Sequence, residues 1–563
     1  MKRRSFLYST TTLTALSPFF QTLHLLKEDI ITRFIIFNDQ QISNILNRQQ
    51  KDQKHPFHGG YADRYEIYHP ISAAGYAVQL ICGFVSKESS YYKSKRIQQA
   101  LNLGLDFLLR VQHPNGNIDL LTTNFNSPPD TAFAVEPLGQ AIQLLQMKMP
   151  DQLPAFQQKA KQFLIGAGNA MSVGGIHTPN HRWVICRALA RIHKLYPNRK
   201  YLNRINQWLA EGIDIDPDGQ YTEKSSGGYS PLVNECFITV ARLLGKTHLY
   251  EAVRKNLDMT LYFVHANGEV VTEASKRQDQ YRIGNMSSYY FGYRYMAILD
   301  QNPVYAAMAV KIEKQVGLKG LYGNLGHFLE ESTLVNPLPK GGLLPQNYVR
   351  HFPFSKMARI RRESVDATIL GDNTTFFTFF KGNTALQAIR LASAFFGKGQ
   401  FQSTSLKIEN NVYILSQDLI GPYYQPHHEE NIDPDGDWHK MPRKYRPQSE
   451  IQKLKSIIRI SENKGSFTLH FDISGTNHVP LAIELAFRPG GQFSGTQPIP
   501  GLDQVYILEK GYGRYTHEGE SIKFGPGHKE HGWTQLRGAK PKLNGESVYL
   551  TAYTPFNFTL KIK

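Results

Sequence analysis

Residues 95–112 read KRIQQALNLGLDFLLRVQ, and their apolar positions decide the class of the N-terminal half. Ala100, Leu101, Leu105, Leu108 and Leu109 recur at the three- and four-residue spacing that lines one face of an α-helix. The same rhythm marks the segments on either side. A helix is expected over Asp39–Gln50, then over Ile71–Val85, Asp130–Met147, Pro154–Met171, His181–Tyr196 and Tyr201–Gly212. Further helices are expected over Pro231–Gly245, His248–Val264, Ser287–Leu299 and Asn302–Gln315, with Pro, Gly and Asn clusters between them. So many helices in succession predict paired helices stacked around an arc or ring, with inner helices about a cavity and loops along one rim.

The texture changes from about residue 355. Thr374–Phe380, Leu406–Asn410, Val412–Gln417, Ile457–Ile460, Ser466–Ile473, Leu481–Phe487, Gln504–Leu508, Ser521–Phe524 and Ser547–Tyr553 alternate or are rich in β-branched and aromatic residues. Gly, Asn and Pro punctuate them at short intervals, the pattern of an antiparallel β-sandwich. The boundary is expected in Asn336–Phe354, which is rich in Pro and Gly. The long polar stretch Tyr423–Arg446 reads as an ordered loop or lid. The chain is thus expected to be α+β and multidomain. An export signal covers 1–25, an (α/α) toroid of paired helices 26–340, and an antiparallel β-sandwich 341–563.

Bulk properties agree with two large cores. At 563 residues the chain exceeds what one core supports, and 41% hydrophobic residues exclude global disorder. The formal net charge of +17 favours polyanionic partners. No zinc-finger spacing, RNA-binding signature or basic arm is present, which argues against nucleic acid. The 30 Tyr and 32 Phe suit either ordinary cores or a sugar-binding cleft. Cys82, Cys186 and Cys236 lie in apolar helical stretches without metal spacing and read as buried free thiols. Lys2-Arg3-Arg4-Ser5-Phe6-Leu7 precedes a weakly apolar run, Thr10–Phe20, and resembles a twin-arginine export signal, so a periplasmic or secreted destination is expected. That run is too short and too polar to span a bilayer, and no later stretch reads as an integral membrane segment.

Two constellations carry the chemistry. The first is Thr178-Pro179-Asn180-His181-Arg182-Trp183, at an expected helix start where exposed backbone N–H groups favour anions. Asn180 and His181 could together bind a carboxylate; equally, Asn180 could be a helix N-cap beside a solvated His181. The second is Asp216-Pro217-Asp218-Gly219-Gln220-Tyr221-Thr222-Glu223, followed by Ser225-Ser226-Gly227-Gly228-Tyr229-Ser230. It reads as a turn, a short extended stretch and a Gly pair that sets Tyr229 before the next helix, or simply as a turn and a cap.

Taken together, Asn180-His181 and, some fifty residues on, Asp218-Gly219…Glu223 with Tyr229 resemble the polysaccharide lyases of the heparinase III and oligo-alginate lyase type. The residue-level match spans about residues 178–232, and the domain order matches over most of the chain. The resemblance implies a helical toroid followed by an antiparallel β-sandwich. It also implies β-elimination on a uronic-acid-containing glycan: loss of the C5 proton beside a carboxylate and expulsion of the C4 oxygen. That carboxylate must be neutralised so that charge can develop on it, which suits amide and imidazole donors at Asn180 and His181. A base must take the proton and an acid must protonate the leaving oxygen. A tyrosine does both where a cationic field favours its phenolate, which assigns Tyr229. Where base and leaving group lie on opposite faces of the sugar, His181 is the base and Tyr229 the acid.

Substrate contacts are expected from Glu223, Arg277, Tyr281, Arg282 and Tyr289. Arg277 and Arg282 lie in a polar cluster with Glu273 and Gln278, and an arginine suits bidentate carboxylate binding. Tyr289 and Tyr290 open a helix and offer rings for stacking on sugar. Asp130 reads as a cap rather than a catalytic group. His427, His428 and His439 are β-domain histidines that could face a cleft. No metal is expected. Asp433-Pro434-Asp435-Gly436-Asp437 has its glycine misplaced for a helix–loop–helix calcium site, with Lys444 where the bidentate Glu belongs. His528, His531 and Trp533 lack zinc spacing. No phosphate loop, dinucleotide fingerprint or serine-hydrolase elbow is present, so no cofactor is expected. The expected partner is an acidic polysaccharide or oligosaccharide, possible targets including glucuronate-bearing side chains. The competing readings are an (α/α)-toroid glycoside hydrolase such as a glucuronidase, drawing its acids from Asp130, Glu136, Asp218 and Glu223, and a non-catalytic glycan-binding protein.

Overall fold

The computed structural model of the chain describes the backbone of residues 18–563 and the side chains from residue 30 onward. The export-signal reading rests on residues 2–20 and falls almost wholly outside the described residues. Backbone contacts group the chain into two compact units. A helical unit takes the residues up to Gly212 together with Glu235–Tyr250 and Tyr289–Gly342. A β unit takes Ile213–Asn234, Glu251–Ser288 and Leu343–Lys563.

The helices are α1 (Pro18–Arg48), α2 (Pro70–Val85), α3 (Lys95–Val111), α4 (Pro128–Lys148), α5 (Pro154–Met171) and α6 (Pro179–Leu195). They continue with α7 (Arg199–Ala210), α8 (Tyr229–Leu244), α9 (Tyr250–Thr260), α10 (Tyr290–Leu299), α11 (Pro303–Val316) and α12 (Leu325–Glu330). In the helical unit α2 packs on α4 and α4 on α6, while α3, α5 and α7 back onto α2, α4 and α6. That two-layer arrangement of inner and outer helices is the (α/α) toroid. The sequence of α3 explains its outer place: Ile97, Ala100, Leu101, Gly104, Leu105 and Leu108 are buried, while Lys95, Arg96, Gln98 and Gln99 face water. Each buried leucine contributes about 1.5–3 kcal/mol relative to exposure. The inner helix α4 is buried on nearly every side. It starts at a serine N-cap: Ser127 Oγ accepts from the Asp130 N–H at 3.3 Å and donates to Asp130 Oδ2 at 2.6 Å, so Asp130 helps close the helix end. The cysteines are free and buried, Cys82 in α2, Cys186 in α6 and Cys236 in α8.

The inner helices also share a network of buried charge. Arg191 of α6 contacts Glu136 of α4 at 2.8 Å and Glu330 of α12 at 2.5 Å, and donates to Gln143 at 2.7 Å. Arg187, one turn earlier, meets Glu136 at 3.0 Å and Glu235 of α8 at 2.5 Å. Arg242 of α8 adds a 2.5 Å contact to Glu330, and His327 of α12 lies 2.9 Å from Glu235. Burial opposes ionisation of Glu330, but Arg191 and Arg242 prevail and hold its carboxyl well below the usual range.

In the β unit, nine strands form one sheet. A meander of Asn347–Phe352, Met357–Arg362, Val365–Leu370, Phe377–Lys381 and Thr384–Ser393 continues through Pro480–Phe487 and Glu546–Tyr553 to Val505–Ile507 and Gln497–Pro498. Its pairings are antiparallel except that Val505–Ile507 runs parallel to Glu546–Tyr553. Eight strands form the other sheet: Gln492–Ser494, Gly513–His517, Glu520–Gly525, Phe556–Ile562, Ser466–Gly475, Gln448–Asn463, Val412–Tyr424 and Lys407–Glu409. Ile360, Phe377, Leu386 and Ile483 from the first sheet and Leu415, Ile458, Phe471 and Leu560 from the second share one core, which makes the pair a sandwich. The segment Asp433–Asp437 is a turn, Asp433 accepting from the Gly436 N–H at 3.0 Å.

A second buried charge cluster pins the Glu251–Ser288 segment to the nine-stranded sheet. The His265 ring stacks on Phe380 at 3.7 Å, with Nδ1 2.7 Å from Asp366 and Nε2 3.3 Å from Glu273. Arg359 lies 2.9 Å from the same Asp366, and Thr368 and Thr378 donate to Glu273 at 2.6 and 3.0 Å. Burial works against an imidazolium here, but Asp366 and Glu273 outweigh it and raise the His265 pKa above 6.5. Burial likewise opposes the Glu273 carboxylate, yet His265 brings its pKa down to about 2. The stabilisation from His265 is therefore complete below pH 6.5 and lost as pH rises through its raised folded value. That from Glu273 is complete above pH 4.5 and lost as pH falls towards 2. We expect His265→Gln to cost about 3 kcal/mol near pH 6 by urea unfolding, because it removes the buried cation that two buried carboxylates share. The substitution should also flatten the alkaline loss of stability; an alkaline limb identical to that of the wild type would refute the imidazolium assignment.

Candidate functional site

The Tyr229 loop belongs to the β unit and is built by polar contacts of long sequence separation. It opens with a turn in which Gly219 adopts a φ of +101°, and a Cβ there would lie 2.4 Å from the Lys255 carbonyl oxygen, so glycine is required. Asp216 closes the turn, accepting from the Gly219 N–H at 3.0 Å and, through its carboxylate, from the Gln220 N–H at 2.9 Å. Tyr221 is buried and donates to Asn234 at 2.9 Å; Asn234 donates to Asn256, which donates to the Gly219 carbonyl at 2.9 Å.

Ser225 and Asp279 then set the start of α8. Ser225 Oγ accepts from the Tyr229 N–H at 3.0 Å, satisfying an otherwise open helix-end donor, and itself donates to Asp279 Oδ1 at 2.9 Å. The other oxygen of Asp279 accepts from the Gly227 N–H at 2.8 Å and from Ser275 Oγ at 2.9 Å. Ser226 adds bonds to the Val271 carbonyl at 2.5 Å and to Ser275. One buried carboxylate thereby fastens the loop ahead of Tyr229 to the segment that carries Arg277 and Gln278.

The side chains brought together are Tyr229, Arg277, Glu223 and Gln278. The Arg277 guanidinium lies 5.4 Å from the centre of the half-buried Tyr229 ring, a cation–π contact. Arg277 Nε is 3.2 Å from Glu223 Oε2, and the Tyr229 hydroxyl donates to Gln278 at 3.5 Å. The Glu223 side chain is 3% exposed, and its Oε1 has no hydrogen-bond partner among the described residues. A buried carboxylate oxygen left open in this way is an acceptor that a ligand hydroxyl can fill.

Asn180 and His181 lie in the helical unit, in the first turn of α6. The N-cap is Thr178 rather than Asn180, so the capping alternative fails. Asn180 is 1% exposed; its Oδ1 accepts from Thr178 at 3.3 Å while its buried Nδ2 has no hydrogen-bond partner among the described residues. Its amide is thus a desolvated, uncommitted donor. His181 is half-buried and makes an edge contact with His177 at 6.2 Å. Asn180, Arg187 and Arg191 are spaced by seven and four residues and share one face of α6, so the buried charge network fixes the helix that presents Asn180.

The remaining expected residues are placed as follows. The Tyr281 hydroxyl bonds Thr375 at 2.7 Å, and burial raises its pKa. Arg282 is exposed, its carbonyl accepting from Thr272 at 2.9 Å. Tyr289 is 2% exposed, with its ring 6.3 Å from Tyr293 in the helical unit. Glu273 is buried in the His265 cluster rather than grouped with Arg277, Gln278 and Arg282. Glu136 is held by Arg187 and Arg191, and Asp218 accepts from the Ser355 N–H at 2.8 Å. Asp279 is a positioning residue that the sequence pattern does not reveal, because its partners Ser225 and Gly227 lie about fifty residues upstream. Among the described residues no cluster of His, Cys, Asp and Glu has metal-site geometry, and no helix is long and apolar enough to cross a membrane.

No family model and no curated protein matches the sequence. Solved structures do match the fold. Heparinase III shares 12% identity over 86% of this chain and 75% of its own, with a TM-score of 0.54. The Streptomyces coelicolor A3 chondroitin AC lyase, solved in complex with chondroitin sulphate, shares 12% over 98% of this chain and 80% of its own, with a TM-score of 0.52. A Paenibacillus xanthan lyase shares 10% over 96% of this chain, which spans 59% of that enzyme, with a TM-score of 0.56. The fold of this chain is the one these polysaccharide lyases have: a helical toroid followed by an antiparallel β-sandwich.

Asp279→Ala removes the acceptor of two buried hydroxyls and one half-buried backbone N–H, and we expect it to cost about 3 kcal/mol of stability. Urea unfolding measures the loss, and limited proteolysis should newly cut near Gly227–Gly228. A change within about 0.5 kcal/mol, the range of an ordinary surface substitution, would show that the loop is held by something else.

Proposed function

We propose that this chain is a polysaccharide lyase that cleaves a uronate-containing glycan by β-elimination. The observation that carries the reading is the Tyr229 phenol lying against the Arg277 guanidinium, itself held by Glu223. Arg277 over the ring and Gln278 at the hydroxyl hold the phenol in place as a group that can give and take a proton. The uncommitted amide donor of Asn180 and the lyase fold support it further.

In this reading Asn180 Nδ2 and His181 donate to the uronate carboxylate. As the C5–H bond breaks, its electron pair forms the C4–C5 double bond through a species whose charge rests on that carboxylate, and donors placed there stabilise it selectively. The C4–O bond breaks, and the leaving oxygen takes a proton. Tyr229 delivers that proton; the base is the Tyr229 phenolate for a syn substrate, or His181 for an anti one. Glu223 Oε1 accepts from a sugar hydroxyl, and Arg277 stands beside the phenol that changes charge. Glucuronate-bearing side chains are a candidate target, and a periplasmic or secreted location fits polymer degradation outside the cytoplasm. A hydrolase would need two available carboxylic acids. Asp130, Glu136 and Asp218 are all committed to structural partners, which weighs against that alternative.

Incubation with uronate polysaccharides should generate the ultraviolet absorbance of a C4–C5 unsaturated uronate. Tyr229→Phe should lower that rate by about 10³-fold, within the range of lost acid–base catalysis, and Asn180→Ala by about 10²-fold or more. Chain cleavage without the unsaturated product, little affected by Tyr229→Phe, would overturn the lyase reading in favour of hydrolysis.

A further inference from the structure

The connection between the strands Val412–Tyr424 and Gln448–Asn463 is anchored at its base. The Gln425 N–H donates to the Pro447 carbonyl at 2.9 Å, and Arg446 donates to the Gln425 carbonyl at 3.3 Å. Beyond that base it exposes large rings instead of burying them: Trp438 is 58% and Tyr445 49% exposed. Each ring is paired with a cation from the same segment. The Arg446 guanidinium lies 4.7 Å from the Trp438 ring, Arg443 lies 5.5 Å from Tyr424, and the Lys444 ammonium lies 4.7 Å from Tyr445.

Charge within the connection is sorted by position. Residues 429–437 carry Glu429, Glu430, Asp433, Asp435 and Asp437, whereas residues 438–446 carry Lys440, Arg443, Lys444 and Arg446 and no carboxylate. Lys440 turns back to Asp433 and Asp435 at 3.6 and 3.9 Å. Arg443, Lys444 and Arg446 form no ion pair with a carboxylate among the described residues. Exposed aromatic faces with uncompensated cations held beside them offer two attractions at once: apolar stacking for the flat face of a sugar, and charge for its acid group.

We propose that residues 438–446, with Tyr424, form a second glycan-binding surface on the β unit that holds an acidic polysaccharide chain. It shares with the catalytic reading only the class of ligand and takes no part in bond cleavage. Stacking on Trp438 and Tyr445 sets an affinity for pyranose rings, and Arg443, Lys444 and Arg446 favour carboxylated or sulfated ones. Such a surface raises the local concentration of polymer for any site on the same chain, while a short oligosaccharide gains nothing from it.

Affinity electrophoresis of the full chain tests the proposal without turnover, so its failure is separable from failure of the lyase reading. Gels contain hyaluronan, alginate or neutral dextran. The wild type should be retarded by at least one anionic polymer and not by dextran, and less so as salt rises. Trp438→Ala and the double variant Arg443→Ala/Arg446→Ala should each weaken that retardation, raising Kd about tenfold. Arg443→Lys/Arg446→Lys keeps the charge and should retain part of the binding. Unfolding midpoints equal to the wild type identify loss of binding rather than loss of fold. Retardation by neither anionic polymer, or retardation unchanged in the variants, overturns the proposal. So does equal retention by dextran, or binding to phosphatidylglycerol vesicles through these residues with both acidic polymers ignored.

Discussion

Arg191 has a wholly buried side chain, and much of the helical unit follows from that fact. A guanidinium out of water costs several kcal/mol unless opposite charge and further hydrogen bonds meet it on all sides. Glu136, Gln143 and Glu330 meet its two terminal nitrogens from α4 and α12, and Arg187 extends the same arrangement to Glu235 on α8. None of these helices can slide by a residue without stranding a charge. Apolar packing alone tolerates such slips far better, because leucine for leucine is nearly degenerate. Ionic contacts thus set the register of α6, and the position of Asn180 at its first turn is a consequence.

The β unit applies the same rule twice. Asp366 answers both His265 and Arg359, tying a segment of irregular backbone to a sheet. Asp279 answers Ser225, Gly227 and Ser275, fixing a loop whose glycines would otherwise leave it free. Glu136 Oε2 and Arg191 Nε go without a hydrogen-bond partner inside the charge network itself, and so, among the described residues, do the buried donor Asn180 Nδ2 and the buried acceptor Glu223 Oε1. Such groups are costly to keep, and a ligand that completes them recovers that cost on binding.

Much of the fold was legible because burial leaves a period in the sequence. The helices from α2 to α6 begin and end within two residues of where their apolar spacing places them. Ser466–Gly475 alternates between buried and half-buried positions, and its alternation betrays it. Thr384–Ser393 escaped notice because it is buried on both faces and shows no alternation. Met357–Arg362 escaped because Arg359, a charge in mid-strand, argues against a strand unless its partner is known. The same limit governs the site. Tyr229, Asn180 and Arg277 could be singled out by local pattern, since their neighbours mark turns and helix starts. Asp279 could not, since its role depends on contacts about fifty residues away that no local pattern encodes.

The three thiols have a practical consequence. Burial pushes Cys82 and Cys236 up to about 12 and raises Cys186 as well, so in the folded chain none offers a thiolate to an oxidant or an alkylating reagent. All three sit on inner helices, and the β unit contains no cysteine at all. The chain therefore carries its own reporter: the rate at which a thiol reagent marks it counts openings of the helical core alone. Loosening confined to the sandwich leaves that clock untouched, so the stabilities of the two units can be separated in the intact molecule without adding a probe.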